Sequence, residues 1–132
     1  LSVALSCSAA GIAWLSTMSD DEAMTLVAKK GLGKPEDFGP KAPTSIKGVM
    51  TLVKASRQQG FSMIVDVFGP GMSSMAAPVL DFQGRAIGVV TIAGPSVRLN
   101  AARMEALGPA LLEAAQEVSR ASTASSLFKK CA

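Results

Sequence analysis

The sequence predicts one small α+β domain, in which three helices precede a short antiparallel β-sheet and a long last helix follows it. Helical spacing of apolar residues marks the regions before Gly60 and after Asn100, whereas β-branched segments and glycine turns lie between them. A chain of 132 residues with 48% hydrophobic residues and a mean hydropathy of +0.34 is too apolar for a disordered protein. A chain of this length buries about two thirds of its unfolded surface, which is enough for a hydrophobic core.

The absence of histidine excludes the commonest catalytic and metal-binding chemistry, because no Ser-His or Cys-His pair can form. Cys7 and Cys131 stand near opposite ends and match no Cys-x-x-Cys spacing. We therefore expect free thiols in a reducing cytoplasm, with a disulfide between the two ends as the alternative. We predict no enzyme, no metal site and no cofactor; an enzyme that uses Cys7 or Ser74 is the disfavoured alternative.

The formal net charge of +3 comes from 13 basic and 10 acidic residues interspersed along the chain. No basic cluster exceeds two residues, which indicates a solvated surface rather than a DNA-reading face. The apolar residues 1–15 carry neither an initiator Met nor a basic segment. We interpret them as the start of a fragment rather than as a signal peptide, and we expect no membrane contact.

Two helices are predicted in the first third of the chain. Ser8 is the expected N-cap of a short, buried helix that runs to Met18. The sequence SDDE at residues 19–22 is a capping box, which opens an amphipathic second helix. Gly31 ends that helix, since glycine adopts the C-terminal capping conformation without steric strain.

A loop, a third helix and a first strand follow. Residues 31–43 contain three glycines and three prolines, which predicts a loop. Thr44 or Ser45 caps the third helix, which ends at Gly60. Residues 61–68 then show a strand pattern.

The second and third strands are predicted to form a hairpin. After a break at residues 69–71, a strand pattern resumes at residues 75–82. Gly84 suits the left-handed position of the short hairpin loop. Residues 85–93 are rich in β-branched side chains and have no interior charge, so we expect a central strand that is covered on both faces.

The last helix is capped by Asn100, and its apolar residues recur at helical spacing. We expect Gly108-Pro109 to kink or restart it. Residues 121–132 are rich in serine and alanine, which predicts a frayed tail.

Four ordered motifs carry a resemblance to a known family. They are AGIAWL at residues 10–15, MAAPVLDFQGR at 75–85, GPSVRL at 94–99 and LGPALLEAA at 107–115. Together they resemble the C-terminal effector-binding domain of IclR-type bacterial transcriptional regulators, over about residues 6–120. The family's winged helix-turn-helix and the first strands of its effector domain are absent from this chain.

The resemblance implies that residues 1–132 are one domain, the C-terminal part of an effector-binding domain. It implies a GAF-like antiparallel sheet packed with helices, of whose six strands about three are present. It also implies a cytoplasmic protein that contacts DNA only through the absent N-terminal domain. The missing strands predict an exposed sheet edge, which favours either a homo-oligomer (dimer or tetramer) or an N-terminal segment that completes the sheet.

In the family, a small organic effector lies between the sheet and the first helix. The matching positions at the helix tip are Ala9 and Ala10, whose free amides suit a carboxylate. The matching positions on the sheet side are Ile64, Asp66, Met72, Ser74, Thr91 and Ala93. Ordinary core packing is the alternative for each of these residues, and an outward, solvated carboxylate is the alternative for Asp66.

The function that follows is sensing of a small organic acid by a regulatory and oligomerisation module. Ile64 is aliphatic where related regulators often have an acidic or polar residue, and Met63, Met72 and Met75 are nearby. Flexible thioethers adapt to apolar shapes, so we expect an aromatic or larger hydrophobic carboxylic acid as effector. The alternative is a pure oligomerisation module without a ligand response.

Overall fold

A computed structural model of the chain describes residues 5–124. The helices and strands within these residues are α1 (Ala9–Leu15), α2 (Asp20–Lys30), α3 (Ile46–Gln59), β1 (Ser62–Val65), β2 (Met72–Leu80), β3 (Ala86–Pro95) and α4 (Ala101–Ala124). Short 3-10 turns at Leu5–Cys7 and Pro35–Asp37 precede α1 and α3. The predicted α+β class is confirmed.

The strands form one antiparallel sheet in the order β1-β2-β3, and α4 covers one of its faces. Met75 and Val79 of β2 are buried there against Met104 and Leu111 of α4. The alternation of side chains along β2 sends every second residue to this face. This is the larger apolar core of the molecule.

The opposite face is covered by α1, which small residues bring close to the strands. Ala9 and Ala13 are buried with Ile64 of β1 and Ala76 of β2. The hydroxyl of Ser62 in β1 donates a hydrogen bond of 2.7 Å to the carbonyl oxygen of Ala9. Helices α2 and α3 pack around a separate apolar cluster, to which α1 also contributes. Thus α1 lies between the sheet and the outer helices.

The predicted caps of the first three helices are confirmed. Each serine hydroxyl accepts a hydrogen bond from the backbone N–H three residues later, in the pairs Ser8–Gly11, Ser19–Glu22 and Ser45–Gly48. Gly60 ends α3 in the left-handed conformation, with φ of +92°. Helix α1 is shorter than predicted and ends at Leu15, because the hydroxyls of Ser16 and Thr17 bond back to its last carbonyls.

The hairpin between β2 and β3 closes as predicted. Gly84 takes a positive φ of +81°. The carboxylate of Asp81 accepts hydrogen bonds of 2.9 Å from the backbone N–H groups of Arg85 and Gln83. These bonds hold the pKa of Asp81 below its usual value, since they favour the ionised carboxylate.

Strand β2 begins at Met72, three residues before the predicted start. Ser73 and Ser74 do not fit an apolar strand pattern, but they pair with both neighbouring strands. Strand β1 ends earlier than predicted, at Val65, because Asp66 adopts a positive φ of +58° and turns the chain.

The sequence predicts a central β3, and this prediction is wrong for the described residues. Within residues 5–124, β2 is the central strand and β3 lies at an edge. The side chains of Thr91, Ala93 and Pro95 are exposed. An uncharged, β-branched composition shows that a strand suits a sheet interior, but it does not show which strands pair with it or whether both of its edges are paired.

The sequence predicts a kink or a restart at Gly108-Pro109, and α4 does not restart there, because it is one continuous helix through this pair. Met104 and Leu111, on either side of the pair, are buried in the same core cluster. Gly108 faces Phe61 closely, since a Cβ at position 108 would lie 2.5 Å from the ring. Packing on both sides of the proline therefore keeps the two halves in one helix.

Helix α4 extends to Ala124, so residues 121–124 of the predicted frayed tail are helical. Ser122 is buried. Residues 125–132, which include Cys131, lie outside the described residues. No helix within residues 5–124 combines the length and apolarity needed to cross a lipid bilayer.

We expect Gly11→Ala to lower the free energy of unfolding by about 1–3 kcal/mol through overpacking. A Cβ at position 11 would lie 2.1 Å from the backbone carbonyl oxygen of Leu5. The backbone cannot move away from this contact as easily as the end of a flexible side chain could. Gly48→Ala in α3 is the matched control, because the nearest atoms would lie 3.4 Å away. That substitution should stabilise the helix by up to about 1 kcal/mol. Urea unfolding followed by circular dichroism measures both, and equal effects would contradict the close approach at Gly11.

We expect Ser62→Ala to destabilise the protein by about 1 kcal/mol, the net value of a typical buried hydrogen bond. The substitution removes the link between β1 and the carbonyl oxygen of Ala9. Ser74→Ala on the same face is the control, since the Ser74 hydroxyl has no hydrogen bond to residues 5–124. The same unfolding measurement separates the two variants. A loss at Ser74 as large as that at Ser62 would show that the Ser62 bond does not anchor α1.

Candidate ligand-binding site

The strand register brings the predicted sheet residues together on one face. Ile64 of β1 lies opposite Ser74 of β2, and Ser74 lies opposite Ala93 of β3. Thr91 and Met72 each stand two residues from this row on their own strands. Because side chains alternate along a strand, these five residues share the face that α1 covers.

The N-terminal tip of α1 lies on this face. Ser8 caps the helix, and its hydroxyl accepts the N–H of Gly11 at 3.0 Å. The backbone N–H groups of Ala9 and Ala10 donate to no acceptor within residues 5–124. Free N–H groups at a helix start attract an anion. Ala10 is half-buried, whereas Ala9 is 2% exposed.

The site is closed on one side and open on the other. Ala9 and Ile64 are 2% and 3% exposed, because α1 packs against the sheet there. In contrast, Met72 is 40% exposed, and Thr91 and Ala93 are exposed as well. The arrangement is a shelf whose buried inner end is apolar and whose outer part carries the hydroxyl of Thr91.

Asp66 stands apart from this shelf, just after the end of β1. Its carboxylate accepts a hydrogen bond of 2.7 Å from the N–H of Gly71, and its carbonyl oxygen accepts one of 2.8 Å from the N–H of Lys41. Asp66 therefore holds the turn between β1 and β2. The glycine at position 71 is the sequence signal for this turn, because an Asp side chain commonly bonds to backbone across a glycine-containing turn.

One wall of this region was not predicted from the sequence. The loop that follows Pro35–Asp37 reaches the end of β1, where the N–H of Gly39 donates to the carbonyl oxygen of Val67 at 2.9 Å. The rings of Phe38 and Phe68 meet edge to face, with centroids 6.2 Å apart. Phe38 and Ala42 pack against the buried cluster under α1. A loop with many glycines and prolines gives no pattern from which this packing follows.

The described residues include no group of three or more His, Cys, Asp or Glu side chains that could hold a metal ion. Cys7 is fully buried and forms no disulfide within residues 5–124, and its sulfur lies 3.7 Å from the hydroxyl oxygen of Ser6. Burial in this position keeps the thiol away from solvent-borne reactants. The groups on the α1 face are therefore suited to non-covalent binding.

The chain is similar to several known proteins. The family described as "Bacterial transcriptional regulator IclR C-terminal" matches residues 1–120. The transcriptional regulator BhcR of Paracoccus denitrificans is 36% identical over 63 residues, which are 48% of this chain and 23% of BhcR. The repressor AllR of Escherichia coli is 25% identical over 117 residues, which are 89% of this chain and 42% of AllR.

The fold is shared with solved structures. One of them is the inducer-binding domain of a double mutant of PobR from Acinetobacter, in complex with 3-hydroxybenzoic acid. It has a TM-score of 0.76 and 21% identity, with 87% of this chain and 65% of that chain covered. The chain spans less than half the length of the curated relatives BhcR and AllR. These relatives are transcriptional regulators rather than enzymes. The chain therefore belongs to the IclR family of bacterial transcriptional regulators, as part of that family's C-terminal domain.

Proposed function

We propose that this chain senses a small organic acid as the effector-binding domain of a cytoplasmic transcriptional regulator. The observation that carries the proposal is the shelf under α1. Free N–H groups of Ala9 and Ala10 lie on the same face as the cross-strand row of Ile64, Ser74 and Ala93. A related domain that shares the fold, that of PobR, is described with a bound aromatic acid, which supports the proposal.

The residues of the shelf favour an acid with an apolar body. The carboxylate would accept from the N–H groups of Ala9 and Ala10, as anions do at helix starts. The body would contact Ile64 and Met72, whose side chains offer only apolar surface. Ligand sites of this kind are mostly apolar with few polar groups. We therefore propose an aromatic or larger hydrophobic carboxylic acid as effector.

A response to the effector requires that it bind one domain arrangement more tightly than another. A ligand that touches both the α1 tip and β3 would link the movement of α1, which Ser62 of β1 holds through its hydrogen bond to Ala9, to the open strand β3. We propose that this coupling changes how DNA-binding parts outside this chain sit on an operator. In this proposal, residues 5–124 contact no DNA themselves.

The first experiment is isothermal titration calorimetry with 3-hydroxybenzoate, benzoate, glyoxylate and pyruvate. We expect the aromatic acids to bind and to raise Tm. Thr91→Leu places bulk on the exposed side of the shelf and should weaken this binding by about tenfold or more, that is about 1.4 kcal/mol. Thr25→Leu makes the same change at an exposed position of α2 and should leave the binding of the aromatic acids unaltered. A flat response to all four acids from a folded sample would contradict effector sensing.

A second candidate function is self-association through β3. In the described part of the chain, this ten-residue strand carries no charged side chain and pairs on only one side. Unpaired N–H and C=O groups along an uncharged edge form hydrogen bonds readily with another strand. A second copy of the chain would therefore extend the sheet and give a dimer, or a tetramer where two dimers associate.

Light scattering over a range of protein concentrations tests this second function. We expect a dimer that Gly88→Lys converts to monomer, because a charge on the edge opposes strand pairing. Position 88 tolerates a side chain, since no atom lies within 4 Å of its Cβ position. Lys at the exposed position 25 (Thr25→Lys) is the control for charge alone. A strict monomer at every concentration would remove the oligomerisation function, whereas a dimer without ligand response would favour it over sensing.

A further inference from the structure

A separate cleft of about 520 Å³ lies at the other end of the sheet. Pro78 and Leu80 of β2 form one wall, four and six residues beyond Ser74 of the proposed effector site. At about 3.3 Å per residue, they lie roughly 13–20 Å from Ser74. The C-terminal ends of α1 and α3 and one side of α4 form the other walls. The volume falls within the usual range for small-molecule sites, about 300–1,000 Å³.

A buried hydroxyl without a partner lies at the base of this cleft. Ser56 of α3 lines it and is 1% exposed. Its Oγ forms no hydrogen bond within residues 5–124. Helical serine and threonine hydroxyls usually bond to a carbonyl in the preceding turn, as Thr51 does with Lys47 and Ser122 with Ser119. An unsatisfied buried hydroxyl is destabilising, so Ser56 indicates a polar group that is supplied from the cleft.

The charged side chains that line the cleft are both basic. Arg57 and Arg120 line it, and no carboxylate does. Arg57 is already engaged: it donates to Asp20 at 2.8 Å and to the carbonyl oxygens of Ser16 and Met18. Its hydrogen bond holds the pKa of Asp20 below the usual value. Arg120, in contrast, forms no ion pair with any described residue.

The lining of the cleft is apolar below this charged rim. Pro78, Leu112 and Ala115 offer hydrocarbon surface. Gln116 precedes Arg120 by four residues on α4, so both side chains project from one side of the helix. The rim thus presents a guanidinium and an amide above an apolar floor.

We infer that this cleft is a second ligand site, distinct from the proposed effector site, for a small organic anion with an apolar body. The anionic group pairs with the guanidinium of Arg120 and accepts from the amide of Gln116. The body packs on Pro78 and Leu112. A second oxygen of the ligand, or a water held beneath it, satisfies the hydroxyl of Ser56.

The test is a titration with benzoate, followed by two-dimensional NMR of backbone amides, in a Thr91→Leu background that weakens binding at the proposed effector site. We expect saturable shifts at Ser56, Gln116 and Ser119. Arg120→Gln should weaken this binding by about tenfold or more, since a charge-assisted hydrogen bond is lost. Arg103→Gln, at an exposed position of α4 outside the cleft, should leave it unchanged. Absence of saturable shifts at these amides, or equal weakening by both arginine variants, would overturn the inference.

Two further measurements separate the role of the cleft from general stability. Ser56→Ala removes the unpartnered hydroxyl, so it should raise Tm without ligand and weaken benzoate binding. Sulfate serves as a probe of charge alone, and benzoate should bind more tightly because of its apolar ring. A Ser56→Ala variant that binds benzoate as the parent does, or a preference for sulfate, would contradict the assigned ligand class.

Discussion

The close approach of α1 to the sheet is the constraint on which the rest of the structure depends. Ala9 and Ala13 of α1 are buried against Ala76 of β2, so small side chains line this part of the contact between helix and sheet. Only this short separation lets the hydroxyl of Ser62 reach the carbonyl oxygen of Ala9 at 2.7 Å. Gly11 extends the same constraint to the other side of the helix, where the Leu5 carbonyl occupies the space of a Cβ.

This approach places two different environments at the two ends of α1. Its N-terminal tip lies over the face that carries Ile64 and Ser74, with two backbone N–H groups free. Its C-terminal end, at Ser16, meets the end of α3 and one wall of the second cleft. The short helix α1 thus separates the proposed effector site from the cleft lined by Arg57 and Arg120. Ligands bound at the two places would both contact structure packed around α1.

Much of the local structure follows from particular residues. Ser8, Ser19 and Ser45 cap their helices because a hydroxyl satisfies an N–H that a helix start leaves free. Gly84 closes the hairpin because it adopts a positive φ without steric strain. The family resemblance, carried by four short motifs, agrees with the match over residues 1–120. It also indicated which strand positions share a face, and the register brings Ile64, Ser74 and Ala93 into one row.

The sequence by itself determined the helix caps, the hairpin turn, the α+β class and the family, because each depends on residues close together in the chain. Only the tertiary structure decided that β3 lies at an edge, that α4 continues through Pro109, and that Asp66 holds a turn with Gly71. It alone brought Ser56 and Arg120 to one cleft from helices far apart in sequence. These features depend on which distant surfaces pack together, and neither local propensity nor hydrophobic periodicity encodes that choice.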